Sequence, residues 1–395
     1  MIEYKKALNL VLKYTRSSKS QILKLENTFR QAASCSVYSP IDMPPFNRVT
    51  MDGYALRSRD LINLPREFEV IDTINAPNIS SKLIKKNQAI RVMTGCILPR
   101  GTDRVVKIEE ALVVKKNIVR IFKYSSSKNI AYKGQDCKKG SLLLNRNQMI
   151  RAQELSILAA AGVKHLRVFK KPKVAIIATG NEITEPNVRL KSGFLRNSTS
   201  LMLKMLLNDL DIKPKYLGII KDNKKILKNK LRQSLDTDIL IITGGVSMGE
   251  YDYVPQILNE LNVKKIFHKV SIKPGKPIWF GKKKDTFVFG LPGNSVSSLI
   301  GFCLFIKPVI FKMQGQYAEP QIFKGSINFE FKVDEDRLVF NPCKINYINQ
   351  GFRLSPTKFN TSGDMKAICE SNGFFISRPG SYILKKGSIA EFIFL

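Results

Sequence analysis

The sequence predicts a multidomain α/β and β protein. A central doubly wound parallel α/β domain is preceded by an N-terminal helical and extended linker domain with a small inserted β module, and is followed by a C-terminal β-barrel domain. Three observations predict this. From Pro172 onward, buried-strand runs alternate with helical runs, as in a parallel sheet with crossover helices. Residues 68–122 hold only short β runs divided by Gly, Pro and Asn. After Met313 the helical pattern stops and short β runs return. The chain, at 395 residues, is also longer than one compact core usually serves. The expected division is 1–44 with 134–171 for the linker domain, 45–133 for the inserted module, 172–317 for the α/β domain and 318–395 for the barrel.

Residues 1–36 read as two helices. The first carries Ala7, Leu8, Val11 and Leu12 at amphipathic spacing, and the second lies around Glu26–Ala33. Pro40, Pro44 and Pro45 then force an extended crossing into Phe46–Leu56. There Asp52-Gly53 is by default a turn dipeptide and hairpin corner, although an acid beside a glycine can also be a presented carboxylate. The β module follows as Phe68–Ile74, Ala89–Met93, Arg104–Ile108 and Val113–Phe122, with Thr94-Gly95 as plain turn chemistry. Gly134-Gln135-Asp136 leads toward an alanine-rich helix, Ala152–Ala161, closed by Gly162.

In the central domain, strand Val174–Ala178 ends in Thr179-Gly180-Asn181-Glu182. Helix Thr199–Leu207, strand Tyr216–Ile220 with Asp222 just beyond it, and helix Lys224–Ser234 follow. The next strand, Asp238–Thr243, breaks into Gly244-Gly245-Val246-Ser247-Met248-Gly249 ahead of Asp252. Two similar turns come later, Lys273-Pro-Gly-Lys276-Pro277 and Gly290-Leu-Pro-Gly293-Asn294, the second running into the apolar segment Ser295–Phe311. The barrel is expected from Ser326–Val333, Leu338–Phe340, Phe374–Ser377 and Ile389–Phe394.

Polar loops after successive strands of one sheet gather at its carboxyl edge, where open α/β sheets take ligands. Glu182, Asp222 and Asp252 fall there, and Asp222 and Asp252 suit a hard divalent cation such as Mg²⁺. Lys273 and Lys276, held apart by Pro-Gly, present two positive charges from a stiff turn and, with hydroxyls such as Ser297, suit a tetrahedral oxyanion. Taken singly, each acid reads as a solvated loop end or a helix N-cap; together they favour phosphoryl or oxyanion chemistry. No Gly-x-x-x-x-Gly-Lys-Ser/Thr loop is present, and the glycine loop lacks dinucleotide spacing, which disfavours hydride transfer and ordinary ATPase work. His165 and His268 are isolated and read as core or surface residues rather than members of a Ser-His-Asp triad.

Charge and cysteines bound the rest. The excess of 65 Lys and Arg over 32 Asp and Glu leaves a net +33, but the lysines are scattered and do not gather on one helix, so nucleic acid is not the expected partner. Six dispersed cysteines without Cys-x-x-Cys indicate neither zinc nor a disulfide framework and fit a reducing cytoplasm. The N-terminus lacks an apolar signal core. The most apolar segment, around Leu299–Ile306, is cut by Lys307-Pro308 and reads as too short for a membrane span.

Several motifs in one order resemble a known family. They are Pro44-Pro45-Phe46 with Met51-Asp52-Gly53-Tyr54-Ala55, Thr94-Gly95, Gly134-Gln135-Asp136, Thr179–Glu182, Thr243–Tyr253, Lys273–Pro277 and Gly290–Asn294. Nearly the whole chain is similar to MoeA, the molybdopterin molybdenumtransferases, which include the E domain of gephyrin. The resemblance implies a MogA-like central domain, a homodimer with an interfacial site, and a reaction in which adenylylated molybdopterin and molybdate give molybdenum cofactor and AMP with Mg²⁺ assisting. By motif position, it implies Asp222 and Asp252 as metal and hydrolysis carboxylates. Glu182, Asn197 and the Thr243, Gly244, Gly245, Ser247, Gly249 loop match the pterin-nucleotide cradle. Lys273, Lys276, Pro277, Ser297 and Ser362 match the molybdate pocket, while Asp52, Thr94 and Asp136 match positions needed for activity, Asp52 in the partner subunit's site. The molybdopterin adenylyltransferase is an implied partner.

The chain departs from the family in places. Asn341-Pro342-Cys343 stands where an arginine usually helps bind molybdate, leaving Arg337 or Arg353 to substitute. Ser295 replaces a proline, and Asn197 and Thr199 replace Asp and Asn. Two alternatives to the transferase are a molybdopterin adenylyltransferase, against which the two β domains argue, and a scaffold or RNA-binding protein of the same fold, marked by salt-sensitive RNA binding without turnover.

Overall fold

The computed structural model describes residues 1–246, 252–361 and 363–395. Its centre is a six-stranded sheet, with strands labelled β1 (Val174–Thr179), β2 (Lys215–Ile220), β3 (Ile239–Thr243), β4 (Lys264–His268), β5 (Trp279–Lys283) and β6 (Thr286–Leu291). Their order is 2-1-3-6-5-4. The first four run parallel, and β5 is antiparallel to both β6 and β4. Every residue of β1, β3 and β6 is buried, which explains their unbroken apolar runs.

Alternate residues feed two cores. Val174, Ile176, Ile239 and Ile241 face helix α1 (Ser198–Asp209) and the long helix beginning at Ser295. Ala175, Ile177, Leu240 and Ile242 face α2 (Lys224–Ser234) and α3 (Val254–Glu260). The chain leaves β1 toward β2 on one side and reaches β3 on the other, so the winding reverses between β1 and β3 and leaves a crevice at their carboxyl ends.

The segment beginning at Ser295 corrects one expectation. It runs as a continuous helix over Ser295–Met313, 19 residues with a mean hydropathy of 1.7, so its length and composition would allow a membrane crossing. Yet 78% of that window is buried inside the protein, as a core helix is. Pro308 does not end it, because a π-helical turn over Phe302–Ile306 directly precedes the proline's turn and absorbs the missing N–H.

The N-terminal helix Tyr4–Tyr14 forms as expected and buries Tyr4, Ala7, Leu8 and Val11 in the same core as α1, with Tyr4 edge-on to Phe305 and Phe340. The second expected helix, around Glu26–Ala33, is only a 3₁₀ turn over Leu25–Thr28. Ahead of it, Ser20–Lys24 pairs antiparallel with His165–Phe169, and this distant pairing overrides local propensity. Val37–Tyr38 likewise pairs with Leu142–Leu144, so the linker domain is tied from two remote segments.

The inserted module is a six-stranded mixed sheet. The run read as one strand over Val113–Phe122 is a hairpin, Ala111–Lys115 with Ile118–Ile121, turning at Lys116-Asn117. At the C-terminus, Phe323–Ile327, Leu338–Ile348, Gly351–Pro356, Gly373–Ser377 and Ile389–Phe394 close on one another into a five-stranded barrel around Phe375 and Phe392. Beside it, Phe331–Glu335 pairs with Gly380–Leu384. The central domain adds its own short strand, Ile272–Lys273, parallel to Leu338–Val339 of the barrel.

Candidate functional site

At the crevice between β1 and β3, small residues let two loops close on each other. Gly244 has φ +83°, and a Cβ there would stand 2.4 Å from the Thr179 carbonyl oxygen; Gly245 has φ +63° and would meet Thr179 Oγ1 at 2.8 Å. Only glycine fits both demands. The Gly244 N–H donates to the Leu291 carbonyl at 3.0 Å, tying the ends of β3 and β6. The result is a cleft of about 590 Å³ lined by Thr179, Gly180, Glu182, Asn197, Asp222, Thr243, Gly244, Gly245, Asp252, Pro277, Asn294 and Ser295.

Asp222 is held there by a reciprocal clamp. The Asn181 N–H donates to Asp222 Oδ2 and the Asp222 N–H donates to Asn181 Oδ1, both at 3.1 Å. Partial burial, with the negative charges of Glu182 and Asp252 nearby, pushes its carboxyl above the ordinary range despite the Asn181 bond. Carboxylates that repel one another on a cleft wall offer hard oxygen ligands to a divalent cation. Among the described residues no three His, Cys, Asp or Glu side chains form a complete protein cage, so any such ion would need ligand oxygens as well.

Asn197 lines the cleft but is already engaged. It caps α1 by accepting from Ser200 N at 3.1 Å, and its Nδ2 donates to the Tyr216 hydroxyl at 2.9 Å. Thr199 and Ser295 hydroxyls meet at 2.7 Å, linking α1 to the helix whose N-terminus Asn294 caps by accepting from Ser297 N at 3.1 Å. Sequence reasoning set His268 aside, yet its Nε2 donates to the Val246 carbonyl at 2.9 Å and so anchors the start of the glycine loop. Burial holds that imidazole below its usual range. Its isolation in the sequence gave no sign of this.

The lysine turn opens on a second cavity of about 650 Å³ between the central domain and the barrel, lined by Lys273, Val296, Glu335, Asn341, Pro342 and Thr361 among others. The acids and the lysines therefore do not share one crevice. Two walls separate the cavities: the helix start, with Ser295 on one side and Val296 on the other, and the stretch where Asp364 lines the second cavity while Gly363 and Met365 line the first. Lys273 Nζ donates to Glu335 Oε1, Lys276 is exposed, and Ser297 is buried and lines neither cavity. Asn341 donates to the Ser377 hydroxyl at 2.9 Å, and neither Arg337 nor Arg353 lines the second cavity. Ser247, Gly249 and Ser362 lie outside the described residues.

Asp52, Thr94 and Asp136 line neither cavity. Asp52 Oδ1 accepts from Thr94 N at 2.7 Å and from Thr94 Oγ1 at 2.8 Å, and these bonds hold the exposed carboxyl below its ordinary range. Asp136 is exposed, with its N–H on the Met43 carbonyl at 3.0 Å.

This geometry agrees with known proteins over the full length. Residues 2–162 match the family model of the MoeA N-terminal region, domains I and II, and residues 175–312 match a probable molybdopterin binding domain. A molybdopterin molybdenumtransferase of Staphylococcus epidermidis is 32% identical over 398 residues, covering 99% of this chain and 95% of that protein. The chain belongs to the molybdopterin molybdenumtransferase family. The Staphylococcus aureus transferase is 31% identical over 401 residues, with the same coverage. Among solved structures, a molybdopterin biosynthesis MoeA protein from Pyrococcus horikosii superposes with a TM-score of 0.83 at 29% identity, covering 100% of this chain and 99% of that one. A molybdenum cofactor biosynthesis protein from Pyrococcus furiosus shares the fold with a TM-score of 0.61.

Proposed function

We propose that this member of the family is a molybdopterin molybdenumtransferase, inserting molybdate into adenylylated molybdopterin and releasing AMP in molybdenum cofactor biosynthesis. The observation that carries it is the cleft at the sheet reversal, where the Thr243–Gly245 backbone and the carboxylates Asp222 and Asp252 line one wall system around a volume of about 590 Å³. Glycine-loop backbone and the capped helix start cradle the pterin nucleotide, with Glu182 and Asn197 at its rim. Asp222 and Asp252 would hold Mg²⁺, which supplies neutralisation of charge on the pyrophosphate oxygens as that bond is cleaved. Lys273, Lys276, Pro277, Ser297 and Ser362 are the proposed molybdate residues. Lys273 and Pro277 stand on opposite cavities, so the oxyanion reaches the pterin across the wall at Asn294–Val296.

Asp52, Thr94 and Asp136 serve the site of a second copy in a homodimer; that they line neither cavity of their own protomer supports this reading. We place the protein in the cytoplasm, receiving its substrate from the molybdopterin adenylyltransferase. The test is AMP release from adenylylated molybdopterin with and without molybdate. Asp252→Asn should still bind that substrate but stop AMP release. Release at the parent rate would remove Asp252 from the mechanism.

A further inference from the structure

The barrel brings an anion of its own to the lysine turn. Because Ile272–Lys273 joins the barrel edge with Lys273 opposite Val339, the residues just ahead of Leu338 are carried onto the same turn. Those residues are three consecutive acids, Asp334-Glu335-Asp336, in a chain with twice as many basic as acidic side chains. Glu335 ends the strand Phe331–Glu335, whose partner strand Gly380–Leu384 fixes its position, and its carboxylate pairs with Lys273 Nζ at the rim of the second cavity. Asp336 pairs with Arg337 at 3.0 Å, and its carboxyl is held low by Arg337 first and more weakly by Lys276. Lys273 thus faces a carboxylate supplied by the protein, and the charge of the exposed Lys276 is felt weakly by Asp336.

We propose that Glu335 is a built-in counter-anion for Lys273 that an entering tetrahedral oxyanion must displace, so that the acidic tip 334–336 sets the oxyanion concentration the site requires. The inference rests on the reading of Lys273 as an oxyanion ligand. The ion pair is accessible enough to open, with side-chain exposures of 40% for Lys273 and 25% for Glu335. Partly exposed pairs of this kind are weak and are screened by salt. An oxyanion that needs the same ammonium must first overcome that attraction, and it is also repelled by the remaining carboxylates. Pro342, which lines the same cavity, stands where the resemblance puts the family's arginine and has no N–H to offer, and the neighbouring Asn341 amide is committed to Ser377, so Lys273 carries more of the anion's charge here than a site with a guanidinium would require.

The test is calorimetric titration of the full chain with sodium molybdate at low and high salt, with thermal melting as the stability control. Glu335→Gln should tighten molybdate binding by about two- to five-fold at low salt, the range a weak ion pair corresponds to, and the gain should shrink at high salt. Lys273→Ala should weaken binding and abolish the effect of Glu335→Gln in the double variant. Asp336→Asn, which leaves the Lys273 contact intact, should act in the same direction but less strongly, and it serves if Glu335→Gln lowers the melting temperature. If Lys273→Ala weakens binding while Glu335→Gln leaves it unchanged or weaker, the counter-anion role is wrong and the oxyanion reading stands. If Lys273→Ala leaves binding unchanged, the oxyanion reading fails and the counter-anion role falls with it.

Discussion

Replacing Gly244 by alanine should damage the cleft more than the loss of a flexible residue alone would. The backbone at this position has φ +83°, a left-handed conformation that costs an L-residue about 1–2 kcal/mol. The new Cβ would also lie 2.4 Å from the Thr179 carbonyl oxygen, a backbone atom at the end of a fully buried strand that cannot rotate aside. Forcing such a contact in a packed interior costs about 1–3 kcal/mol more, so about 2–5 kcal/mol is expected in all. Gly218→Ala isolates the first part, because Gly218 has φ +86° in β2 of the same sheet and nothing within 4 Å of its would-be Cβ. The single tryptophan, Trp279, is 1% exposed in β5, so its fluorescence in urea titrations follows this domain's unfolding in both variants. The expected result is that Gly244→Ala loses at least about 1 kcal/mol more than Gly218→Ala, the low end of the overpacking range. Equal losses would refute the close approach of the two loops and with it the shape of the cleft.

Asp222→Asn should trade activity for stability. Its carboxyl is raised by burial and by Glu182 and Asp252, so the native state binds a proton more readily than the unfolded chain does. Stability then falls as pH rises from the ordinary carboxylate range through the raised value, and the charge remains a cost at neutral pH. The variant should melt higher than the parent at pH 7 and equally at pH 3, and Mg²⁺ should raise the parent's melting temperature but not the variant's; a lower melting temperature at pH 7 would contradict the assignment. Asn294→Ala removes the cap on Ser297 N and should cost about 0.5–2 kcal/mol in urea titrations, while Asn294→Asp, which keeps the acceptor, should cost less. Equal losses for the two would show that the acceptor bond to Ser297 N is not what stabilises this helix start.

The central domain was legible because its signals are local. Each of β1, β3 and β6 is a short run of buried apolar residues, closed by Thr179, Thr243 and Gly290-Leu291 respectively, and the helices between them carry caps such as Asn223 on Ile226 N at 3.1 Å. The linker domain was harder to read because its order comes from partners far away in sequence. Ser20–Lys24 is a strand only because His165–Phe169 lies beside it, 145 positions on, and no periodicity in residues 20–33 carries that information. The length of the helix from Ser295 was hidden for a related reason, since Pro308 is a helix breaker unless a π turn precedes it, and the turn is a response to packing.

The site divides along the same line. Asp222, Asp252, Glu182 and the glycine loop share a cleft because each follows a strand of one sheet, and strand order alone brings strand ends together. The lysine turn also follows a strand that runs in the same direction, so the same rule placed it at the same edge. The rule gives no account of a two-residue strand leaving its own sheet. Ile272–Lys273 hydrogen-bonds to the barrel instead, and that pairing turns Lys273 into the second cavity and onto Glu335. Two backbone pairings in a neighbouring domain thus decide which charges face the lysine. The acidic triplet 334–336 carried no signal in the sequence that tied it to the lysines, and only the register of Lys273 against Val339 makes it part of the site.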